Sequence, residues 1–324
     1  TMNETMQPYD TLPRVQDGRF RNAGLFGEAT WNLAADRRMI GGLRVDDWQA
    51  RDEREILRIG MLGQVPNPTA NAERNETLAS GFARFERDLP DSSTTLYAGV
   101  GHVERFPDYW ELLAAGKESV GSLSAFDTSP ERTTQFDAGI VHSSDRFEFS
   151  ASGFVSDVRD FILIESNYAK VTRRATVTRN IDARTWGGEA DLAYAVAPEL
   201  RMTATLAYTR GENRTDELPL AQMPPLETRL GLDWSRGPWA AGALVRVVAE
   251  QNRYALDQGN VVGQDLGPTP GFTVVSLNGG WRSSESGTTV TAGIDNVLDR
   301  AYAEHLSRSG AMVAGYLQTT RVNE

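Results

Sequence analysis

The sequence predicts an all-β chain that forms an antiparallel, up-and-down β-barrel whose strands cross a membrane. Apolar and polar residues alternate with a period of two along most of its 324 residues. The interruptions of this pattern are alternately short and long, and no stretch shows a long helical period. The mean hydropathy of −0.41 agrees with this prediction. Strands that turn one face to lipid and the other to a polar lumen look polar on average.

The alternation is clearest in the second half of the chain. Leu230, Leu232 and Trp234 fall on one face of a strand, and the residues between them are Gly231 and Asp233. The same pattern runs through residues 136–140, 190–194, 202–208 and 275–281. Tyr and Trp near several strand ends fit the aromatic girdles of a membrane barrel. The best helical candidate, at residues 109–115, is short.

The connections between strands predict the architecture. Short turns are expected at residues 35–37, 90–93, 143–145, 197–199, 235–238 and 283–286. Long polar connections are expected at 52–76, 104–130, about 166–174, 211–225, 253–270 and 299–314. This gives about twelve strands in six hairpins, with every long connection on one side. A sandwich or propeller has no reason for that arrangement, whereas an outer-membrane barrel has short periplasmic turns and long extracellular loops.

Composition excludes several classes of partner and site. The net charge of −11 argues against nucleic acid or an anionic surface as a partner. The chain contains no cysteine, so it has neither disulfides nor thiolate metal sites. Catalytic patterns are also missing: no Ser/His/Asp arrangement, no Cys nucleophile and no phosphate-binding loop after a strand is present. We therefore expect no enzyme and no bound cofactor.

The stretch Gly287–Leu306 is the most specific signal. It begins as an alternating strand and breaks at Asp295–Arg300, where Asp and Asn favour a turn. The run DNVLDRAY at residues 295–302 resembles the DNLFDKxY signature near the C-terminus of TonB-dependent outer-membrane receptors. The matched signature positions are Asp295, Asn296, Asp299 and Tyr302.

Other strings carry the same resemblance. Residues 180–190, which include Gly188 and Glu189, resemble the N-x-x-x-A-x-x-x-G-x-E pattern of these receptors, with one residue fewer between Asn180 and Ala183. A narrower match is to the TonB-dependent copper receptors. It rests on residues 104–112, 222–227, 259–263 and 301–306, and its first segment contains Phe106, Pro107, Tyr109 and Trp110.

The resemblance implies a fold and a function. Residues 1–324 would be a single partial receptor barrel, about twelve of roughly 22 strands, with the plug domain and the last strand outside this sequence. The implied function is TonB-energised uptake of a metal, copper in particular, in the bacterial outer membrane. The implied partners are outer-membrane lipid, the TonB complex through N-terminal regions outside this sequence, and copper or another metal ligand.

The sequence assigns no metal ligand with certainty. His102, His142 and His305 are far apart and are expected to be rim or loop residues. Met2 and Met6 are the only candidates for a thioether site, and an ordinary loop role is the stronger expectation for both. Six acidic loop residues are hypothesised to concentrate cations at the rim: Asp108, Glu111, Asp216, Glu217, Asp257 and Asp265.

The residues leave open three alternatives for the function of the chain. The first is a receptor of the same family for a ferric siderophore or another chelate. The second is an outer-membrane barrel enzyme or adhesin. The third is a soluble all-β binding module, which the alternation of short and long connections argues against.

Overall fold

The structure is a computed structural model that describes residues 17–59, 62–90 and 93–306. It contains seventeen strands in the described residues: β1 Gly18–Ala34, β2 Arg37–Asp52, β3 Ile56–Ile59, β4 Gly63–Pro66, β5 Glu73–Asp88, β6 Thr94–Arg105, β7 Lys117–Glu118, β8 Glu131–Ser143, β9 Phe147–Ala169, β10 Arg174–Ala197, β11 Leu200–Asn213, β12 Leu218–Pro219, β13 Glu227–Arg236, β14 Trp239–Val248, β15 Gln258–Gly259, β16 Phe272–Arg282 and β17 Thr289–Ile294. A single helical turn, α1, spans Tyr109–Leu112.

Twelve of these strands form one continuous antiparallel row. Its order is β1-β2-β5-β6-β8-β9-β10-β11-β13-β14-β16-β17, so each long strand pairs with the next long strand along the chain. This confirms the predicted all-β, up-and-down architecture and its strand number. Within the described residues, the terminal strands of the row, β1 and β17, are not paired with each other. No helix in these residues is long and apolar enough to cross a membrane.

The register separates the side chains onto two faces. On one face, Ala190 lies opposite Leu206, and Leu192 lies opposite Ala204. On the other face, Glu189 lies opposite Ala207, and Asp191 lies opposite Thr205. The apolar face is called the outer face below, and the polar face the inner face. Because directly paired residues share a face, the same division extends across the whole row.

The outer face carries an apolar band that continues from strand to strand. Leu96, Ile140 and Leu192 belong to it, as do Leu206 and Leu230. These side chains are partly or largely exposed in the chain alone; Leu25 on β1 is 82% exposed. Such an exposed apolar sheet face is what lipid covers in a membrane barrel.

Among the connections that the structure describes, the turns and loops agree with the sequence expectation at all but one, and the expected loop at 299–314 lies partly outside the described residues. The six predicted short turns all join neighbouring strands of the row. The connection expected at about 166–174 is not a long loop. Strands β9 and β10 instead extend to 23 and 24 residues, and only residues 170–173 join them. Hydrogen bonding continues beyond the apolar band here, so polar residues that read as loop form a protruding hairpin.

Two small apolar cores lie under the loops. One contains Trp48, Leu112, Leu113 and Phe126, and the other contains Leu163, Ile181 and Leu220 among its members. Both are at the end of the sheet where the long connections emerge. The sheet itself has no second layer within the described residues, so the loops supply the densest packing of the chain.

Candidate functional site

The long loops gather at one rim of the sheet and pack over its inner face. The loop after β6 is anchored by aromatic contacts: Phe106 stacks on Trp48 of β2, with ring centroids 4.6 Å apart and planes 9° apart. Leu112 and Phe126, from the same loop, are fully buried against Trp48. The loop therefore folds inward over the wall.

Helix α1 lies in the first of the four segments that carry the copper-receptor resemblance. Asp108 accepts a hydrogen bond from the Glu111 backbone N–H at 2.9 Å, and the Glu111 carboxylate accepts from the Asp108 N–H at 2.8 Å. This capping box satisfies two donors that a helix start leaves free. Pro107 is buried, whereas Trp110 is 61% exposed. Tyr109 donates to Asp17 at 2.9 Å. These matched positions shape the loop and present Trp110 to solvent.

Two buried carboxylates hold the rim on the side of β2 and β9. Asp52 is fully buried and accepts hydrogen bonds from Arg54, from Asn67 at 2.9 Å and from Thr69 at 2.7 Å. Glu118 is 1% exposed and pairs with Lys170 and Arg173, each at 2.6 Å. Burial alone would raise the pKa of Glu118, but the bonds from Arg173 and Lys170 hold it below its usual value. Each of these two carboxylates therefore connects neighbouring loop segments at the rim.

A third buried carboxylate, Asp265, joins three separate segments. Its Oδ1 accepts from the backbone N–H of Gln222 at 3.1 Å and from the side-chain amide of Gln222 at 3.0 Å. Its Oδ2 accepts from the Ala255 N–H at 2.9 Å. His305 completes the cluster: its Nε2 is 3.4 Å from Oδ1, and its Nδ1 is 2.8 Å from the Thr269 hydroxyl. Asp265 and the side chain of His305 have no exposed surface.

The segment after β17 is folded back by this cluster and by two further contacts. Tyr302 stacks on Phe272, with centroids 4.2 Å apart. Glu304 forms an ion pair with Arg246 of β14, and Arg246 also donates to Glu227 at 2.7 Å and 3.0 Å. In the turn itself, Asn296 has a φ of 52° and bonds the backbone of Arg300 in both directions. The DNVLDRAY signature thus builds a turn that directs the following residues over the inner wall.

The other matched pair, Gly188 and Glu189, lies on the wall. Gly188 is on the outer face, where a Cβ would be 2.8 Å from the carbonyl oxygen of Ser152. Only glycine fits so close an approach without a shift of the backbone. Glu189 is on the inner face, opposite Ser152 and Ala207.

The inner face is polar and has open volume. A cavity of about 450 Å³ lies between β11, β13, β14 and the returning tail, lined by Glu227, Arg229, Arg246 and Glu304 among others. The alternating charges of this wall suit a hydrated polar path rather than an apolar ligand pocket.

The structure places the six acids of the rim hypothesis in different surroundings. Glu111 and Asp265 are buried and hydrogen-bonded, so they support loop structure. Asp216 is half-buried and forms an ion pair with Arg179. The hydrogen bonds and ion pairs of these three acids hold the loops together, and the concentration of cations by the six acids stays a prediction. Glu217 and Asp108 are exposed, and Asp257 is half-exposed. A polar sequence neighbourhood is typical of an exposed acid in a loop. It does not distinguish a solvated carboxylate from a buried one that accepts several hydrogen bonds.

The histidines and methionines do not converge on a metal site. His102 lies on the outer face of β6 beside Thr134, His142 is near a short turn, and His305 is buried in the loop cluster. Met39 and Met202 point outward. Across residues 17–59, 62–90 and 93–306 there is no group of three or more His, Cys, Asp or Glu that would hold a metal ion. Met2 and Met6 lie outside the described residues.

The residues that sequence reasoning missed are those that lock the loops. Asp52, Glu118, Lys170 and Arg179 are polar residues in polar stretches, and no motif or spacing separates them from solvated neighbours. Asn180 belongs to a matched string, and its side chain bonds the backbone of Ser129 in both directions, at 2.9 Å and 3.1 Å. Its position in that matched string was the one sequence feature that could have marked Asn180 as a loop-locking residue.

Comparison with known proteins identifies the fold at the level of a family. The family model described as "TonB dependent receptor-like, beta-barrel" matches residues 2–297. Among solved structures, a copper transporter, OprC, is 44% identical, with a TM-score of 0.90 over 100% of this chain and 51% of that one. The ferric-catecholate import receptor Fiu from K12 E. coli is 15% identical, with a TM-score of 0.67 over 88% of this chain and 41% of that one.

The iron transporter FrpB from Neisseria meningitidis is similar to the same degree, at 15% identity and a TM-score of 0.65 over 90% of this chain and 43% of that one. The identities to Fiu and FrpB support the fold alone. A comparison with curated proteins found no match. The chain spans about half the length of the copper transporter that it resembles, 51%.

Proposed function

Since this chain belongs to the TonB-dependent receptor family, we propose that the intact protein is an outer-membrane receptor that imports copper with energy supplied through TonB. The observation that carries the choice of copper is the 44% identity to the copper transporter OprC across the whole chain, at a TM-score of 0.90. The other structures compared are too distant to argue for a cargo.

In this proposal the chain supplies part of the barrel wall and the extracellular rim. The outer face contacts lipid, and the inner face lines the path of the cargo. The loops held by Asp52, Glu118 and Asp265 form a rigid rim, because each buried carboxylate has several hydrogen-bond partners. Copper is the cargo and not a resident cofactor.

The copper ligands are proposed to come mainly from regions outside the described residues. Copper favours thioether and imidazole ligands. Met2 and Met6 remain the two candidates in this sequence.

Metal accumulation in cells tests the proposal. A strain that lacks its own receptor for this cargo and expresses the intact protein should accumulate more copper from micromolar copper, measured by mass spectrometry. The gain should vanish when TonB is inactive, since the family couples transport to TonB. A parallel culture receives a ferric chelate as the only iron source. Copper accumulation that is the same with and without the protein, or iron gain in place of copper gain, would overturn the copper assignment.

A further inference from the structure

A groove on the outer face, at the loop ends of β8 and β11 and beside the middle of β9 and β10, is lined by arginines. It has a volume of about 700 Å³. Its lining includes His102, Arg132, Asp157, Arg159, Arg184 and Arg214. Four arginines stand there against two aspartates, Asp157 and Asp182, in a chain with a net charge of −11.

The register places this groove on the lipid side of the wall. Thr134 of β8 lies opposite both His102 and Asp157, and Asp157 lies opposite Arg184. Two residues nearer the short turns, the same face carries Phe136, Val155 and Trp186. The groove therefore begins where the apolar band ends, on the side of the long loops. In a bilayer this is the level of the lipid headgroups of the outer leaflet.

The charges in the groove are unequally paired. Asp157 accepts from Arg184 at 2.9 Å and 3.2 Å, and Arg214 is 3.4 Å away. Arg159 has no ion pair within 4.0 Å in the described part of the chain, and it lies directly opposite Arg132. Like charges opposed across strands are destabilising unless an anion lies between them.

At the two flanks of the groove, by comparison, the arginines have acidic partners. Arg132 pairs with Glu104 at 3.2 Å and with Asp160 at 3.0 Å. On the other flank, Glu212 lies opposite Arg184 and is 3.7 Å from Arg210. The surplus of positive charge is therefore centred on Arg159, Arg184 and Arg214, which face the two carboxylates of Asp157 and Asp182.

An aromatic residue marks the lower edge of the groove. The Arg210 guanidinium lies 5.3 Å from the centroid of the Trp186 ring on the outer face. Tryptophan is enriched at the boundary between acyl chains and headgroups. Arginine binds phosphate with paired, charge-assisted hydrogen bonds and keeps its charge at any physiological pH.

We propose that this groove binds the phosphate groups of a phosphorylated lipid of the outer leaflet, with Arg159, Arg184 and Arg214 as the principal donors. The acyl chains of that lipid lie along the apolar band below. The site is independent of the transported cargo, because it lies on the face opposite to the inner wall.

Binding of bisphosphoryl lipid A to the purified intact protein in a nonionic detergent tests the proposal. The readout is the fraction of lipid-bound protein by native mass spectrometry, across a titration with bisphosphoryl lipid A or with its dephosphorylated form. Arg159→Gln and Arg214→Gln are the test variants. Arg236→Gln is the matched control, since Arg236 is exposed on the same outer face at a short turn, at the other end of the band. Heat-modifiable migration confirms that each variant is folded.

Each test variant should bind bisphosphoryl lipid A about tenfold more weakly than the parent, and the control variant should bind like the parent. The dephosphorylated lipid should bind about equally to all of them. Equal binding of both lipids to the parent protein, or an unchanged affinity in both folded test variants, would overturn the proposal. Inorganic phosphate is also tested as a competitor at millimolar concentration. If it competes as effectively as the lipid does, the groove is assigned to free phosphate instead.

Discussion

Leu206→Arg should strongly reduce the amount of folded protein in the membrane. Leu206 lies near the middle of the apolar band on β11, opposite Ala190 and Thr228, and is 44% exposed in the chain alone. An arginine on the lipid face of a barrel near the bilayer midplane costs about 2–4 kcal/mol. The measurement is the heat-modifiable, folded fraction of the intact protein in outer-membrane preparations.

The neighbouring residue supplies the control. Ala207 is on the inner face, opposite Glu189 and Glu227, and lines the 450 Å³ cavity. An arginine there gains two carboxylate neighbours, so Ala207→Arg should leave the folded fraction near that of the parent. If both variants fold equally well, or if Ala207→Arg is the more damaging, the assignment of faces is wrong.

Asp265→Asn should release the rim loops. Both carboxylate oxygens of Asp265 accept hydrogen bonds, so an amide must point its NH₂ group at another donor, either at Gln222 or at the Ala255 N–H. A buried donor left without an acceptor costs about 1–3 kcal/mol, and more where a charge is lost. We expect the free energy of local opening at residues 253–270 to fall by about 3 kcal/mol. Hydrogen exchange of the intact protein measures it.

The same loop provides a matched variant. Asp257 has a φ of 63°, which asparagine tolerates, and its side chain accepts one bond, from Asn167 at 3.0 Å. Asp257→Asn should change exchange at residues 253–270 only slightly. If amide protection from hydrogen exchange at residues 253–270 is equal in the two variants, Asp265 does not hold the loops together.

Acidification should act in the same direction as Asp265→Asn. Burial favours the neutral acid, but hydrogen bonds from His305, Ala255 and Gln222 outweigh it, and the pKa of Asp265 lies below the usual 3.8. A lowered carboxyl pKa stabilises the native loops fully above the unfolded value, and this stability is lost as the pH falls through the folded value. After correction for intrinsic rates, the protection that the Asp265 carboxylate supplies should thus decline below about pH 4. In the Asp265→Asn variant this decline should be smaller.

The strand order and the division into faces followed from the sequence because both depend on local periodicity. Alternation at Leu230, Leu232 and Trp234 is visible without any tertiary contact, and so are the short turns. The signature at Asp295–Tyr302 was specific because its turn requires particular side chains, as the bonds of Asn296 show. His102, predicted to be a rim or loop residue, lies on the outer face in the loop-side half of β6.

The loop chemistry could not be predicted because it depends on contacts between residues far apart in sequence. Glu118 meets Lys170 across 52 positions, and Asp265 meets Gln222 across 43. Nothing in the local sequence of either acid marks it as buried. The hairpin of β9 and β10 was misjudged for a related reason. In its upper part consecutive apolar residues, Ile162 to Ile164, are buried by contacts with distant segments, so the period of two is lost.

The most direct test of the membrane-barrel wall is a cysteine scan of β11 in the intact protein reconstituted in bilayers. The chain has no cysteine of its own, so each introduced thiol is unique within it. Spin labels at positions 202, 204, 206 and 208 should be relaxed by oxygen dissolved in lipid, and labels at 203, 205 and 207 by a water-soluble nickel complex. A period of two with these phases is the predicted result. Uniform access to the water-soluble reagent, or the opposite phase, would contradict the assignment of the outer face to lipid.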